Sequence, residues 1–180
     1  MSRIDGDRLF LRALTVADVS DAYVGWMTDP ETNRFLETRW TSHDRAAVEA
    51  FVADKQTSAA EHLYGIFLKD GERHIGNLKI GPVDARHGRA AVRYLIGAKD
   101  AAGRGLATEA VRLGVRLAFE RHGVRKLTAG AYADNVASIR VLEKAGFVQE
   151  GVLREHAAFE GGRTDVVEFG LLPTDPIPAG

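Results

Sequence analysis

Residues 102–107 read Ala-Gly-Arg-Gly-Leu-Ala, between an apolar run (Tyr94-Leu95-Ile96) and a helical pattern that begins at Thr108. A glycine-rich loop at such a junction presents backbone N–H groups where a helix dipole is positive, so it favours an anion. Gly103 and Gly105 lack a Cβ, which lets the backbone come close to a phosphate. A P-loop needs Gly-Lys before Ser or Thr, and that dipeptide occurs nowhere in the chain. A dinucleotide fingerprint needs Gly or Ala where Thr108 stands and a parallel strand before it, whereas the preceding strands read as antiparallel. A plain tight turn is the alternative reading of the two glycines.

A second stretch carries its own chemistry. Asp134-Asn135-Val-Ala-Ser138-Ile-Arg-Val-Leu142-Glu-Lys144-Ala-Gly146-Phe147 starts on a helix-capping asparagine and stops at a glycine. It resembles the Asn-x-x-Ser/Ala-x-x-x-Tyr/Leu-Glu-Lys-x-Gly-Phe helix of the GNAT superfamily of N-acetyltransferases. The 102–107 loop resembles that superfamily's Gln/Arg-x-x-Gly-x-Gly/Ala pyrophosphate loop, with Ala102 in place of the first Gln or Arg. Gly103 to Ala110 is similar to the Gly-Lys-Gly-Tyr-Ala-Thr-Glu-Ala of the RimJ/RimL-like group, differing at Arg104 and Leu106. The Arg-Leu-Phe-Leu-Arg start at 8–12 and the loop from Arg154 through Gly161 to Asp165 also match, so the resemblance covers about residues 8–172.

The resemblance implies acetyl-CoA as acetyl donor and direct attack of an amine on its thioester. The chain must polarise the carbonyl, take a proton from the amine and protonate the leaving thiolate. The family's carbonyl-binding N–H points to Leu95, Ile96 or Gly97. The pyrophosphate falls to the backbone of Ala102, Gly103, Arg104, Gly105, Leu106, Ala107 and Thr108. Asn135 caps its helix and also meets the pantetheine arm. Arg140 and Lys144, one turn apart, either reach the 3′-phosphate or form a solvated face.

The family's proton-donating Tyr falls on Leu142, which has no hydroxyl. Ser138, one turn earlier on the same face, supplies one to the sulfur or is simply a small residue that lets CoA pass. The run Ala90-Ala91-Val92-Arg93-Tyr94 lacks the strand Glu found in related enzymes. The base is then Glu37, Glu155 or His156, or a water chain ending on backbone carbonyls.

The resemblance places the acceptor between the loop that joins the first helices (Glu37, Arg39, Trp40) and the last hairpin (Arg154, Glu155, His156). Trp40 reads equally as a core residue at the start of the next helix. The first choice of acceptor is a protein N-terminal α-amine, then a small-molecule amine such as a nucleotide-linked amino sugar. A non-catalytic acyl-CoA-binding module is the rival of a different class. Asn77 and Lys79 alternate with Leu78 and Ile80, giving a polar face that suits a hydroxylated acceptor or is solvated.

These residues need a scaffold. Arg8–Arg12 reads as a strand, Thr15–Met27 as a helix capped by Thr15, Asn33–Leu36 as a short segment, and a helix capped by Thr41-Ser42 runs through Val48, Phe51 and Val52. Residues 62–97 read as a three-stranded antiparallel meander turning at Asp70-Gly71. A helix at Thr108–Arg121 carries Glu109, Arg112, Arg116 and Glu120 as a polar stripe. A strand at Lys126–Tyr132, a helix at Asn135–Ala145 and strands at Phe147–Leu153 and Val166–Leu172 complete the order. The expected fold is α/β (α+β), the GNAT fold, a mixed central sheet of about seven strands flanked by about four helices. Residues 1–172 form one domain, and the proline-rich tail 173–180 is expected to be disordered.

Composition bounds the function. Lys plus Arg (24) nearly balance Asp plus Glu (25), for a net charge of −1. That argues against a nucleic-acid or membrane partner while leaving room for a local basic pocket. The chain has no cysteine, which excludes disulfides, thiolate metal sites and a Cys nucleophile. The histidines show no metal spacing, and no metal is expected. No apolar run reaches signal-peptide or membrane-span length, so the expected place is the cytoplasm and the expected assembly a monomer or homodimer.

Overall fold

The computed structural model describes residues 3–176. Its strands are β1 (Ile4–Asp5), β2 (Leu9–Ala13), β3 (His62–Leu68), β4 (His74–Ile80), β5 (Arg89–Ile96), β6 (Lys126–Tyr132), β7 (Val148–Phe159) and β8 (Gly162–Leu171). One mixed sheet holds all eight in the order β1-β2-β3-β4-β5-β6-β8-β7. Every neighbouring pair is antiparallel except β5–β6. The strand beyond the expected seven is β1, whose two residues are too few to show a period. β7 and β8 run to the Glu160-Gly161 turn, well past the residues whose alternation marks them.

The helices are α1 (Asp21–Thr28), α2 (Pro30–Asn33), α3 (Arg45–Thr57), α4 (Leu106–Arg121) and α5 (Val136–Lys144). The single helix expected over 15–27 is broken. Thr15 caps only a 3-10 turn, Val16–Asp18, because Asp18 bonds back to Thr15 and is clamped by Arg12 at 2.6 Å. The helix restarts after Ser20, whose hydroxyl accepts from the Tyr23 N–H. α3 is capped by Asp44, which accepts from the Ala47 N–H at 2.8 Å, and not by Thr41-Ser42. Asp70-Gly71 forms a 3-10 turn with Gly71 at φ 67° instead of a two-residue hairpin. Of the tail, Leu172 and Asp175 exchange hydrogen bonds in a turn, and 177–180 lie outside the described residues.

α4 covers one face of the sheet closely, with Leu106, Val111, Leu113, Val115 and Leu117 buried. A Cβ at Gly114 would sit 2.7 Å from Leu78, so the helix rests directly on β4. α1 covers the other face, where Trp26 lies against Gly97. Two members of the expected polar stripe on α4 are in fact engaged. Glu109 accepts from the Arg8 and Leu9 amides and from the Arg8 side chain. Arg112 donates to the Lys144 carbonyl at 2.8 Å, tying α4 to the end of α5.

The β5–β6 ladder is short. Only Arg89 to Ala91 pair with Lys126 to Thr128. Beyond Ala91 and Thr128 the two parallel strands share no ladder, and a gap opens in the middle of the sheet.

Candidate active site

The gap exposes backbone donors whose identity follows from the register. β4 and β5 pair Gly76 with Ile96 and Asn77 with Leu95. Gly97 donates to Ile75 at 2.9 Å and Gly81 donates to Ala91 at 2.8 Å, which fixes the hydrogen-bonded positions. Antiparallel pairs alternate, so Leu95 and Gly97 spend their N–H groups on β4. Of the three residues expected to hold a carbonyl, Ile96 alone turns its N–H into the gap.

The glycine-rich loop follows directly. Lys99–Ala101 make a 3-10 turn, and Gly103 and Gly105 both adopt left-handed φ, 71° and 76°. Gly105 is the N-cap of α4. The glycines are therefore needed for backbone conformation: a Cβ at Gly103 would meet nothing within 4 Å. Arg8 holds the loop in place, donating to the Arg104 carbonyl at 2.8 Å and pairing with Glu109 at 2.9 Å. A cleft of about 800 Å³ beside the loop is lined by Arg8, Lys69, Asp70, Arg73 and Arg104, of which Arg73 pairs with Asp100 at 2.6 Å. The free amides at the N-terminus of α4 make this end of the molecule suited to phosphates.

Asn135 caps α5 as expected, its Oδ1 accepting from the Ser138 N–H at 3.1 Å. Its side-chain NH₂ is left for another partner. Ser138 is half-buried, and its Oγ lies 2.8 Å from the hydroxyl of Tyr94 on β5. Tyr94 pairs with Leu78, so it shares the α4 face, and its ring crosses to α5. Burial pushes the Tyr94 phenol up to about 12, with the Ser138 hydrogen bond pulling the other way. Leu142 is 1% exposed and belongs to the core. Arg140 and Lys144 are both exposed.

The opposite face of the gap carries a different set. Four residues past the last β5–β6 pair, Tyr132 ends β6. Its hydroxyl donates to Glu37 and accepts from Arg39 Nη1 at 3.0 Å. Burial and the Glu37 carboxylate raise the Tyr132 phenol above its usual range, against the opposing effect of Arg39. Arg39 also donates to the Ala158 carbonyl at 2.7 Å, joining the 3-10 turn Glu37–Trp40 to β7. Phe35 stacks on Phe159 with centroids 5.2 Å apart, and Tyr132 meets both rings edge-on. Trp40 is 70% exposed, which overturns its reading as a core residue. Arg39 lies over its ring at 4.4 Å.

The sequence profile of the acetyltransferase (GNAT) domain family matches residues 8–148. The chain belongs to the GNAT acetyltransferase family. It is 27% identical over 174 residues to the uncharacterized N-acetyltransferase p20 of Bacillus licheniformis, covering 96% of this chain and 97% of that one. It is 34% identical over 116 residues to the probable N-acetyltransferase YjcK of Bacillus subtilis, 64% of each chain. Among solved structures it is similar to the Vibrio cholerae spermidine N-acetyltransferase bound to CoA and spermine, with a TM-score of 0.83 and 21% identity over 93% of this chain and 97% of that one. Mycobacterium smegmatis RimJ in complex with CoA-disulfide gives 0.81 and 19% over 92% and 82%. The likeness to these solved structures is one of fold. The acetyl donor of this GNAT enzyme is acetyl-CoA, and its acceptor is an amine.

Other expected site residues fall differently in this GNAT fold. Arg154, Glu155 and His156 form a bulge on β7, three residues opposite the single Asp165 of β8. Glu155 has φ 48°, its N–H donates to Asp165 at 2.7 Å, and Arg163 holds the Glu155 carbonyl at 2.6 Å. Among the described residues no hydrogen bond or ion pair links Arg154 or His156 to Glu37 or Arg39. The polar face expected at Asn77 and Lys79 offers nothing to an acceptor. Asn77 is buried against His74, and Lys79 pairs with Glu61, which also holds Lys55. Tyr132 at the end of β6 and Tyr94 within β5 are hidden in sequence, since each lies in an apolar strand and reads as core. The one available signal is that a buried tyrosine hydroxyl requires a partner.

Proposed function

We propose that this enzyme acetylates the N-terminal α-amine of a protein, with donor and acceptor meeting in the β5–β6 gap from opposite faces. The observation that carries this reading is the division of polar groups across the gap. Ser138 and the phosphate-suited loop stand on the α4–α5 face, and Glu37, Tyr132 and Arg39 stand on the other. A thioester entering along the first face presents its carbonyl to the Ile96 N–H. The Ser138 hydroxyl faces its sulfur. The acceptor amine approaches from the second face and passes its proton through the Tyr132 hydroxyl to Glu37.

The acceptor face argues for a peptide. An open cleft of about 550 Å³ includes Arg34, Arg39, Trp40, His43, Phe159 and Glu160. Arg34 pairs with Glu160 at 2.6 Å within that surface, and an open lining of mixed charge beside the exposed Trp40 ring suits a peptide segment.

The deciding experiment measures thiol release from acetyl-CoA against four acceptors: peptides with a free N-terminus, the same peptides N-terminally blocked but carrying lysine, spermidine, and an amino sugar. Release with the free N-termini alone supports the reading. Preferential release with spermidine or the amino sugar replaces it with a small-molecule acceptor. Release with none, despite tight CoA binding, makes the chain a binding module.

A further inference from the structure

We propose that Tyr94 is a positioning residue that sets the direction of the Ser138 hydroxyl, so that Ser138 donates a hydrogen bond to the sulfur of the departing coenzyme A and keeps its proton. This rests on the placement of the thioester proposed above. The residue aligned with the family's helix tyrosine, Leu142, is sealed in the core and carries no hydroxyl. The structure brings a tyrosine to the same helix from the facing strand instead, with the Tyr94 oxygen 2.8 Å from Ser138 Oγ.

The direction of that bond decides what Ser138 can do. A serine hydroxyl has one hydrogen and two lone pairs. If it donates to Tyr94, its hydrogen is spent. If Tyr94 donates to it, the hydrogen is free to turn elsewhere. A phenol is the stronger acid of the two, so it is the better donor. The alternative acceptor for Tyr94, the Ser138 carbonyl, is farther away at 3.4 Å. The favoured arrangement is Tyr94 O–H to Ser138 Oγ, with the Ser138 hydrogen aimed into the gap. Because the two bonds run in the same sense, each polarises the next.

The same geometry limits the role of Tyr94. A thiol ordinarily titrates near 8.5, far below the Tyr94 phenol held at about 12. Tyr94 therefore keeps its proton throughout. When the C–S bond breaks, its electron pair stays on sulfur. Ser138 stabilises that thiolate by hydrogen bonding, and the thiolate is protonated from water after it leaves. Neither hydroxyl changes its protonation state.

The test is a double-mutant cycle with Tyr94→Phe and Ser138→Ala, read by steady-state kinetics together with calorimetric acetyl-CoA affinity and thermal midpoint. Tyr94→Phe removes one oxygen and keeps the ring in place, and Ser138→Ala alters a half-buried position, so each variant reads the pair separately. Loss of a hydrogen bond to a developing charge lowers kcat about 10- to 100-fold. Each variant is expected to lose kcat to that extent with acetyl-CoA affinity unchanged, and the double variant to be no worse than Ser138→Ala alone. Unchanged kcat in Tyr94→Phe overturns the inference, as do losses that multiply in the double variant. A fall in acetyl-CoA affinity that matches the fall in activity overturns it too, because it marks a packing role. If the unaltered enzyme releases no thiol with any amine, the functional reading fails and the inference fails with it. An active enzyme with an unimpaired Tyr94→Phe variant sinks the inference alone.

Discussion

Arg39 donates to the Tyr132 hydroxyl at 3.0 Å, and that hydroxyl donates onward to Glu37. A phenol thus joins a guanidinium and a carboxylate at the end of β6, on the face opposite Ser138. Removing the phenol oxygen in Tyr132→Phe takes away two hydrogen bonds to charged groups, worth about 1.5–3 kcal/mol each when formed. The expected outcome is a fall of about 10- to 100-fold in kcat/KM for the amine, with KM for acetyl-CoA unchanged. Steady-state kinetics with each substrate varied in turn checks it. A rise confined to the acetyl-CoA KM would place Tyr132 on the donor side instead.

Gly97 and Trp26 are in closer contact than a side chain permits. A Cβ at position 97 would lie 2.0 Å from the Trp26 ring. Gly97→Ala must push the indole off the sheet where β5 leads into the loop. Overpacking of this kind costs about 1–3 kcal/mol. The thermal midpoint is expected to fall by about 2–4 °C for each kcal/mol in a chain of this size. A midpoint equal to that of the unaltered protein would show that Trp26 has room to move.

Much of this arrangement is written locally. The loop at 102–107 and the helix after Asn135 are read from short-range patterns, because capping and left-handed glycines depend on neighbours in sequence. Lys126–Tyr132 has the same bounds in sequence and structure. What stays hidden depends on residues far apart in the chain. Glu109 sits in a helical stripe that looks solvated, yet it anchors Arg8 from a hundred residues away. Tyr132 meets Glu37 and Tyr94 meets Ser138 from elements far apart in the chain, and no periodicity encodes such a meeting. The break between Thr15 and Ser20 is hidden for another reason. The apolar spacing of a helix continues through it, and the Arg12–Asp18 pair decides the outcome.

Gly103 allows strain and crowding to be separated. Its φ is 71°, and a Cβ there would touch nothing within 4 Å. Gly103→Ala therefore costs only the left-handed penalty of about 1–2 kcal/mol, or a relaxation of the loop that escapes it. A relaxed loop turns its amides away from the phosphates. Acetyl-CoA affinity, measured by calorimetry, is expected to weaken about tenfold while kcat at saturating acetyl-CoA holds. Unchanged affinity would remove the 103 segment from the cofactor cradle.

At the far end of α4, His122 accepts from or donates to the Tyr64 hydroxyl at 2.7 Å and stacks on His62 with ring centroids 3.8 Å apart. Burial, with smaller effects from His62 and Arg121, lowers His122 to about 4. In the unfolded chain the same imidazole titrates near its usual 6.5. Between those values the unfolded state binds the extra proton and the folded state does not. Stability therefore falls as pH drops from about 6.5 towards 4, and is unaffected by this group above that window. The ring is partly solvated, which reduces the effect. Thermal midpoints measured across that range should decline on acidification, and His122→Gln should flatten the part of the decline due to this residue. An identical pH dependence in that variant would assign the acid sensitivity to the other groups that folding lowers: His74 and His62, both depressed by burial, and the carboxylates, of which Asp18, held at about 2 chiefly by its hydrogen bonds to Arg12, loses its contribution only below about pH 4.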